Sequence, residues 1–273
     1  MDEELYREYF PTRFAFQLPQ DFPRAKSIII VAVPQPQLKV KFSWKGESHS
    51  FIIPPTYLRA PNKEIEEFLI DFLKPQGFKV APSLLPLKLL AARCGLGSYG
   101  KNNILYVSGM GSFVRLMAFY SDFPCEKDNW QNPEMMKNCQ NCLACFKACP
   151  TGAITSKDFL LRAERCLVYH NDREEDFPKW IDPSWHHCLV GCMFCQKACP
   201  ENKKLLDWFE EKGEFFSEET ELFLNRARLP SVGQVPLNQL PPQTIKKLEA
   251  IEVDRYYQVF CRNLSVLLNK PGV

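Results

Sequence analysis

Apolar positions along the chain change their period several times, and each change predicts an element. Residues 27–33 (SIIIVAV) form a continuous β-branched run closed by Pro34, which predicts a buried strand. Residues 40–44 and 50–53 flank the turn Lys45-Gly46-Glu47 and predict a hairpin. Ile65, Phe68, Leu69 and Phe72 recur on one helical face, with Asn62 as the cap and Pro75 as the stop. Residues 84–93 predict a second helix. Residues 103–107 and 113–120 predict strands on either side of the turn Ser108-Gly109-Met110-Gly111. After Pro200 the pattern turns helical and amphipathic. Ser217-Glu218-Glu219-Thr220 starts one helix carrying Leu222, Phe223 and Leu224, a Pro-rich linker spans residues 229–242, and residues 256–268 form another helix. The expectation is an α+β chain in three parts: an α/β domain over residues 1–124, a cysteine-rich domain over 125–205 and a short helical C-terminal segment over 206–273.

Composition narrows the class. The chain has 273 residues and is 45% hydrophobic, enough to build a core without metal. A net charge of +2 makes no global case for nucleic acid or an anionic membrane. The start, MDEELYREYF, is acidic and unlike a signal peptide, and the longest apolar run is strand-sized. These features predict a cytoplasmic protein with no membrane partner. Twelve cysteines in such a chain predict metal rather than disulfides, because cytosolic thiols are kept reduced.

Ten of the twelve fall between Cys125 and Cys199. Cys139-x2-Cys142-x2-Cys145-x3-Cys149-Pro150 has the spacing of a bacterial ferredoxin run, in which three thiolates hold one [4Fe–4S] cubane and the fourth crosses to a second. Cys192-x2-Cys195-x3-Cys199-Pro200 repeats the pattern without its first cysteine, whose place Gly191 or its neighbours occupy. Two zinc sites would favour paired CxxC knuckles over two runs that each end in Cys-Pro. Cys139, Cys142, Cys145 and Cys199 are therefore assigned to one cluster, and Cys149, Cys192 and Cys195 to the other, completed by Cys166 or Cys188. Cys94, Cys125 and Cys261 read as small buried hydrophobes. Two adjacent cubanes imply one-electron relay, and the segment in front of them must hold whatever the electrons reach.

The loop Gly95-Leu96-Gly97-Ser98-Tyr99-Gly100-Lys101-Asn102 contains both G-x-G-x-x-G and G-x-x-x-x-G-K. A helix rather than a strand is predicted in front of it, and Asn102 replaces the hydroxyl that would hold magnesium, so both nucleotide readings are weak. A tight structural turn and a backbone-lined loop against a large flat cofactor remain. No Asp or Glu occurs between Asp71 and Asp122, while Lys74, Lys79, Lys88, Arg93, Lys101 and Arg115 do. Such a segment suits an anionic group or an electron-rich centre. Buried strands also exclude carboxylates, but that accounts only for the missing acids.

Residues 21–31, the loop 95–102, residues 139–154, Arg165-Cys166 and residues 191–202 together resemble epoxyqueuosine reductase, a cobalamin-dependent enzyme with two [4Fe–4S] clusters, related to the reductive dehalogenases. The resemblance implies a nitroreductase-like α/β cobalamin-binding domain followed by a two-cluster ferredoxin-like domain. It further implies base-off cobalamin between them, contacted by Gly95, Gly97, Gly100, Lys101 and Asn102, and a low-potential donor such as flavodoxin or ferredoxin. The family's Arg-Cys ligand position falls on Cys166, which selects it over Cys188.

The departures are specific. Aligned without gaps on the glycine loop, the family's catalytic aspartate falls at Ala81, and Ser98 stands where the family has Trp. The helical-repeat extension of some members is also missing. A proton donor must then come from elsewhere, and Tyr99, Lys101 and Tyr169 are the candidates; an ordinary tyrosine stays protonated at neutral pH and can donate. Against these roles, Tyr99 can simply pack and Lys101 can simply hold backbone carbonyls. The expected function is a cobalamin-dependent iron–sulfur reductase acting on a small or otherwise different substrate, with tRNA disfavoured by the weak net charge. The alternatives are a non-catalytic electron-transfer or corrinoid-carrying partner, and a true epoxyqueuosine reductase with a displaced acid.

Overall fold

The computed structural model describes residues 14–156, 160–228 and 236–269. The acidic N-terminal stretch and the first half of the Pro-rich linker therefore lie outside the described residues. In chain order the elements are β1 (Ser27–Pro34), β2 (Gln37–Trp44), β3 (Glu47–Ile53), α1 (Ala60–Leu73), β4 (Val80–Pro82), α2 (Leu87–Arg93), β5 (Ser98–Tyr99), β6 (Leu105–Tyr106) and β7 (Val114–Ser121). They continue with α3 (Ala144–Ala148), α4 (Leu167–Asn171), α5 (Phe194–Lys197), β8 (Phe209–Phe215), α6 (Ser217–Arg228), α7 (Pro242–Ala250) and α8 (Tyr257–Leu268). Helices and strands are mixed along the chain, an α+β architecture.

One sheet has the order β1-β7-β4, antiparallel throughout. Strand β7 is its centre, and its side chains alternate between two apolar layers as the pleat requires. Met117 and Phe119 face Leu69 and Ile65 of α1. Val114 packs with Ala91 and Ala92 of α2 and with Leu105, while Ala118 and Tyr120 pack with Leu85, Leu90 and Phe22. Strand β1 is at the edge and half-buried, rather than the fully buried strand its composition predicts.

The second sheet, β3-β2-β8, begins with the expected hairpin. Lys45 and Gly46 occupy its two turn positions with φ of 50° and 82°, the left-handed pair that a two-residue hairpin turn needs. Leu38, Val40 and Phe42 on alternate positions of β2 enter a core completed by Phe215, Phe223, Leu248, Phe260 and Leu264. The rings of Phe42 and Phe215 stack at 5.3 Å, and Phe223 meets Phe260 at 5.2 Å. Strand β8 pairs in parallel with β2, so the C-terminal segment adds a strand as well as helices. Its sequence, FEEKGEF, hides this: Lys41 and Lys39 on the solvent side of β2 meet Glu211 at 2.8 and 3.9 Å.

Other boundaries also differ from the sequence reading. Helix α2 starts at Leu87 because Pro86 occupies its cap. Strand β6 pairs with β5 of the glycine loop rather than forming a hairpin with β7. Asn62 lies inside α1, whose cap is Arg59, and its side-chain oxygen accepts from Arg115 Nε at 3.0 Å. Of the three cysteines expected to be buried hydrophobes, Cys261 is buried, Cys94 is half-buried and Cys125 is exposed.

Candidate iron–sulfur centre and adjoining cavity

The runs Cys142-Leu-Ala-Cys145-Phe-Lys-Ala-Cys149-Pro150 and Cys192-Met-Phe-Cys195-Gln-Lys-Ala-Cys199-Pro200 fold alike. Each places its middle cysteine on a helix of barely more than a turn, α3 or α5, and its last cysteine in extended backbone before the proline. The two helices pack against each other, bringing the runs together. Several hydrogen-bonded contacts join this region to the rest. Leu189 N donates to Ile52 O of β3 at 2.9 Å. Met136 N donates to Tyr99 O at 2.8 Å and Tyr99 N to Glu134 O at 3.1 Å. Buried Asn202 accepts from Ser112 N at 2.9 Å and donates to Ser112 Oγ and Gln196 O.

The thiols fall into two adjoining electrostatic groups. Cys145 feels Cys139, Cys199 and Cys142, whereas Cys192 feels Cys188, Cys166 and Cys149, and Cys195 feels Cys192 and Cys166 before Cys145. Burial pushes the thiols of Cys139, Cys145, Cys166, Cys192 and Cys195 up from the ordinary cysteine value, so as free groups they resist ionisation. A metal centre supplies the positive charge that makes such thiolates favourable. Among the described residues no three His, Cys, Asp or Glu side chains converge closely enough to hold a single metal ion. Thiolates on a cubane bind different irons and need not converge, unlike the ligands of a mononuclear zinc site. The donor set therefore fits [4Fe–4S] chemistry.

A cavity of about 590 Å³ opens between the β7 sheet and the cysteine-rich region. Cys149, Cys166, Cys192 and Cys195 all line it, and Cys139, Cys142, Cys145 and Cys199 do not. Cys188 does not line it and lies in an apolar cluster with Ile52, Phe113 and Met193. The rest of the lining is mainly apolar, including Ile104, Leu105, Val114, Leu116, Leu161 and Val168. Lys88 and Arg115 are its cations, and no Asp or Glu is found among its described lining residues. Arg115 is held by Asn62 and by Thr56 O, at 3.0 Å each.

The candidates read from sequence divide at this cavity. Tyr169 and Asn102 line it. Asn102 Nδ2 donates to Tyr106 Oη at 2.9 Å, and the same side chain reaches the Cys195 thiol. Tyr99 is buried in the apolar cluster beneath the loop and does not line the cavity. Lys101 donates from Nζ to Ser156 O at 3.2 Å, and its backbone N–H reaches the Cys139 thiol. Gly95, Gly97 and Gly100 do not line the cavity either. A Cβ at Gly97 would stand 2.5 Å from Tyr106 O, and one at Gly100 2.6 Å from Asn102 Oδ1, so these glycines permit packing within the protein. Ala81 sits on β4 opposite Tyr120, packed against the Phe22, Leu85 and Leu90 cluster and away from the cavity.

Sequence reasoning missed Tyr57. It lines the cavity and donates to Asp172 Oδ2 at 2.5 Å, while Asp172 Oδ1 accepts from Gly191 N at 2.9 Å. Burial, then the Asp172 charge, raises the Tyr57 phenol well above its ordinary value. Nothing local marks this residue, because its partners lie more than a hundred positions away.

A family model described as a 4Fe-4S double cluster binding domain matches residues 138–202. Epoxyqueuosine reductase of Synechococcus sp. (strain CC9605) is 32% identical over 156 residues, 55% of this chain and 45% of the relative. The enzyme of Francisella cf. novicida (strain Fx1) is 30% identical over 109 residues, 39% of this chain and 30% of the relative. The matched stretches thus span less than half of these curated relatives. The solved epoxyqueuosine reductase of Streptococcus thermophilus superposes on 98% of this chain and 73% of its own, with a TM-score of 0.63 at 18% identity. An epoxyqueuosine reductase solved with an epoxyqueuosine-modified tRNA-Tyr stem loop gives the same TM-score at 22% identity. The chain thus carries a 4Fe-4S double cluster binding domain, shares the fold of solved epoxyqueuosine reductases, and is similar over its matched stretches to curated members of that iron–sulfur family.

Proposed function

We propose that this protein is an iron–sulfur reductase that passes electrons through two [4Fe–4S] clusters to a ligand held in the cavity, and that its substrate is not epoxyqueuosine. The observation that carries this reading is that Cys149, Cys166, Cys192 and Cys195 form part of the cavity wall. One cluster, held by these four, would face the cavity. The other, held by Cys139, Cys142, Cys145 and Cys199, would lie behind it as the entry point from a low-potential donor.

The lining fits a large, mostly apolar group with an anionic or electron-rich part, which is compatible with a base-off corrinoid. Ile104, Leu105, Val114 and Leu116 would pack against it, with Lys88 at its edge. When bound, a corrinoid supplies a strongly reducing and nucleophilic cobalt. Tyr57 and Tyr169 are the O–H groups of the tyrosines on the wall, and we assign proton delivery to that pair in preference to Tyr99 and Lys101. Ala81, where the resemblance puts the family's catalytic aspartate, supports a substrate other than the family's own.

The test is anaerobic protein reconstituted with iron, sulfide and cobalamin. It should hold about eight irons and eight sulfides, two cubanes' worth. Cys166→Ser should lose half of each and Cys188→Ser neither. Cob(II)alamin should bind without the nitrogen splitting of base-on cobalt in its EPR spectrum. RNA carrying epoxyqueuosine should stay unconverted with excess reductant. Stoichiometric zinc without sulfide overturns the cluster reading, and rapid formation of queuosine overturns the substrate reading.

A further inference from the structure

We propose that Lys88 is a positioning residue for electron flow, its ammonium stabilising the reduced state of the cluster on the cavity wall. The proposal rests on the reading of Cys149, Cys166, Cys192 and Cys195 as the ligands of one cluster.

Lys88 projects from α2 into the cavity that those four cysteines line. Its Nζ donates to Asn103 O at 2.9 Å and lies 3.4 Å from Asn103 Oδ1. Asn103 is held in the left-handed region, with φ of 59°, so its carbonyl is presented by a fixed loop rather than by chance rotation. Lys88 is exposed, although the protein packed around its ammonium lowers its pKa, opposed by Cys166. No carboxylate among the described lining residues competes for the ammonium. The other cation of the wall, Arg115, is committed to Asn62 and Thr56.

A cubane on four thiolates is anionic and gains one further negative charge on reduction. A cation in the same cavity as these thiolates therefore favours the reduced form more than the oxidised one, and the local potential rises. A purely structural role, in which Lys88 only ties down the Asn103 loop, predicts lower stability and no selective change in potential.

The experiment is a potentiometric EPR titration of anaerobic protein with both clusters bound, comparing wild type with Lys88→Met, Lys88→Gln and Lys88→Arg. Iron and sulfide are counted first; a protein without two clusters refutes the underlying ligand reading before Lys88 is tested. With eight irons present, Lys88→Met should lower the one-electron equilibrium constant of one cluster about tenfold, about 59 mV, and leave the other unchanged. Lys88→Gln, which keeps a donor toward Asn103, should do the same, and Lys88→Arg should restore the wild-type value. In a Cys142→Ser background the shift should persist, locating it on the cavity side. Unchanged potentials in both neutral variants, or equal shifts of both clusters, overturn the proposal and leave the ligand reading standing.

Discussion

Gly191 directly precedes Cys192, the first cysteine of the second run, and the structure predicts that no side chain can stand there. Its φ is 66°, in the left-handed region. A Cβ built on it would come within 2.6 Å of Tyr57 Oη, 2.7 Å of Cε2 and 2.8 Å of Cζ. Tyr57 cannot swing away cheaply, because its hydroxyl is held by Asp172 at 2.5 Å, and Asp172 in turn holds Gly191 N. The Gly191 carbonyl is fixed as well, by Asn171 Nδ2 at 2.7 Å. Gly191→Ala thus meets two costs: about 1–2 kcal/mol for the left-handed conformation and about 1–3 kcal/mol for overpacking, together roughly 2–5 kcal/mol. Gly152→Ala separates them, since its φ is 65° and nothing lies within 4 Å of the added carbon; it should cost about 1–2 kcal/mol, the backbone component alone. The assay is anaerobic urea denaturation of both variants, with iron and sulfide counted beforehand. Displacement of the adjoining Cys192 should also cut the iron of Gly191→Ala from about eight to about four per chain, which Gly152→Ala should not do. Gly191→Ala with full iron and a denaturation midpoint equal to that of Gly152→Ala would refute the packing argument.

Two further predictions concern the C-terminal segment. Phe260→Ala removes a ring that lies 6.0 Å from Phe42 and 5.2 Å from Phe223 in the core joining β2 to α6 and α8, and should cost about 3–5 kcal/mol; limited proteolysis should then cut after β8, and an unchanged digestion pattern would contradict the shared core. Glu219 accepts from Phe216 N at 3.0 Å, Thr244 Oγ1 at 2.9 Å and Lys247 Nζ at 2.6 Å, so Glu219→Ala should cost about 1–3 kcal/mol in urea denaturation. Burial pushes the Glu219 carboxyl up, but Lys247, Phe216 N and Thr244 outweigh it and hold the folded value below 4.5. Its advantage over Glu219→Gln should therefore be full above pH 4.5 and fade as pH falls through the lower folded value; a difference that grows in acid would contradict the sign.

The iron–sulfur character of this protein was legible in its sequence because cluster ligation depends on short spacings. Cys142, Cys145 and Cys149, and again Cys192, Cys195 and Cys199, are set by local turns that the chain makes wherever it is placed. The β2–β3 hairpin was readable for the same reason, since Lys45 and Gly46 impose its turn locally. Strand pairing was not: β6 joins β5 and β8 joins β2 because of surfaces distant in sequence, and FEEKGEF has no strand signal until Lys39 and Lys41 face its glutamates. The glycine loop reads as a ligand cradle by composition, yet Tyr106 fills the space that Gly97 and Gly100 leave. Only the tertiary structure put Tyr57 against Asp172 and Lys88 on the same wall as Cys166. Local spacing decides which atoms can bind a cluster, whereas the cavity and its charges arise where separate segments meet, and no window of sequence contains that meeting.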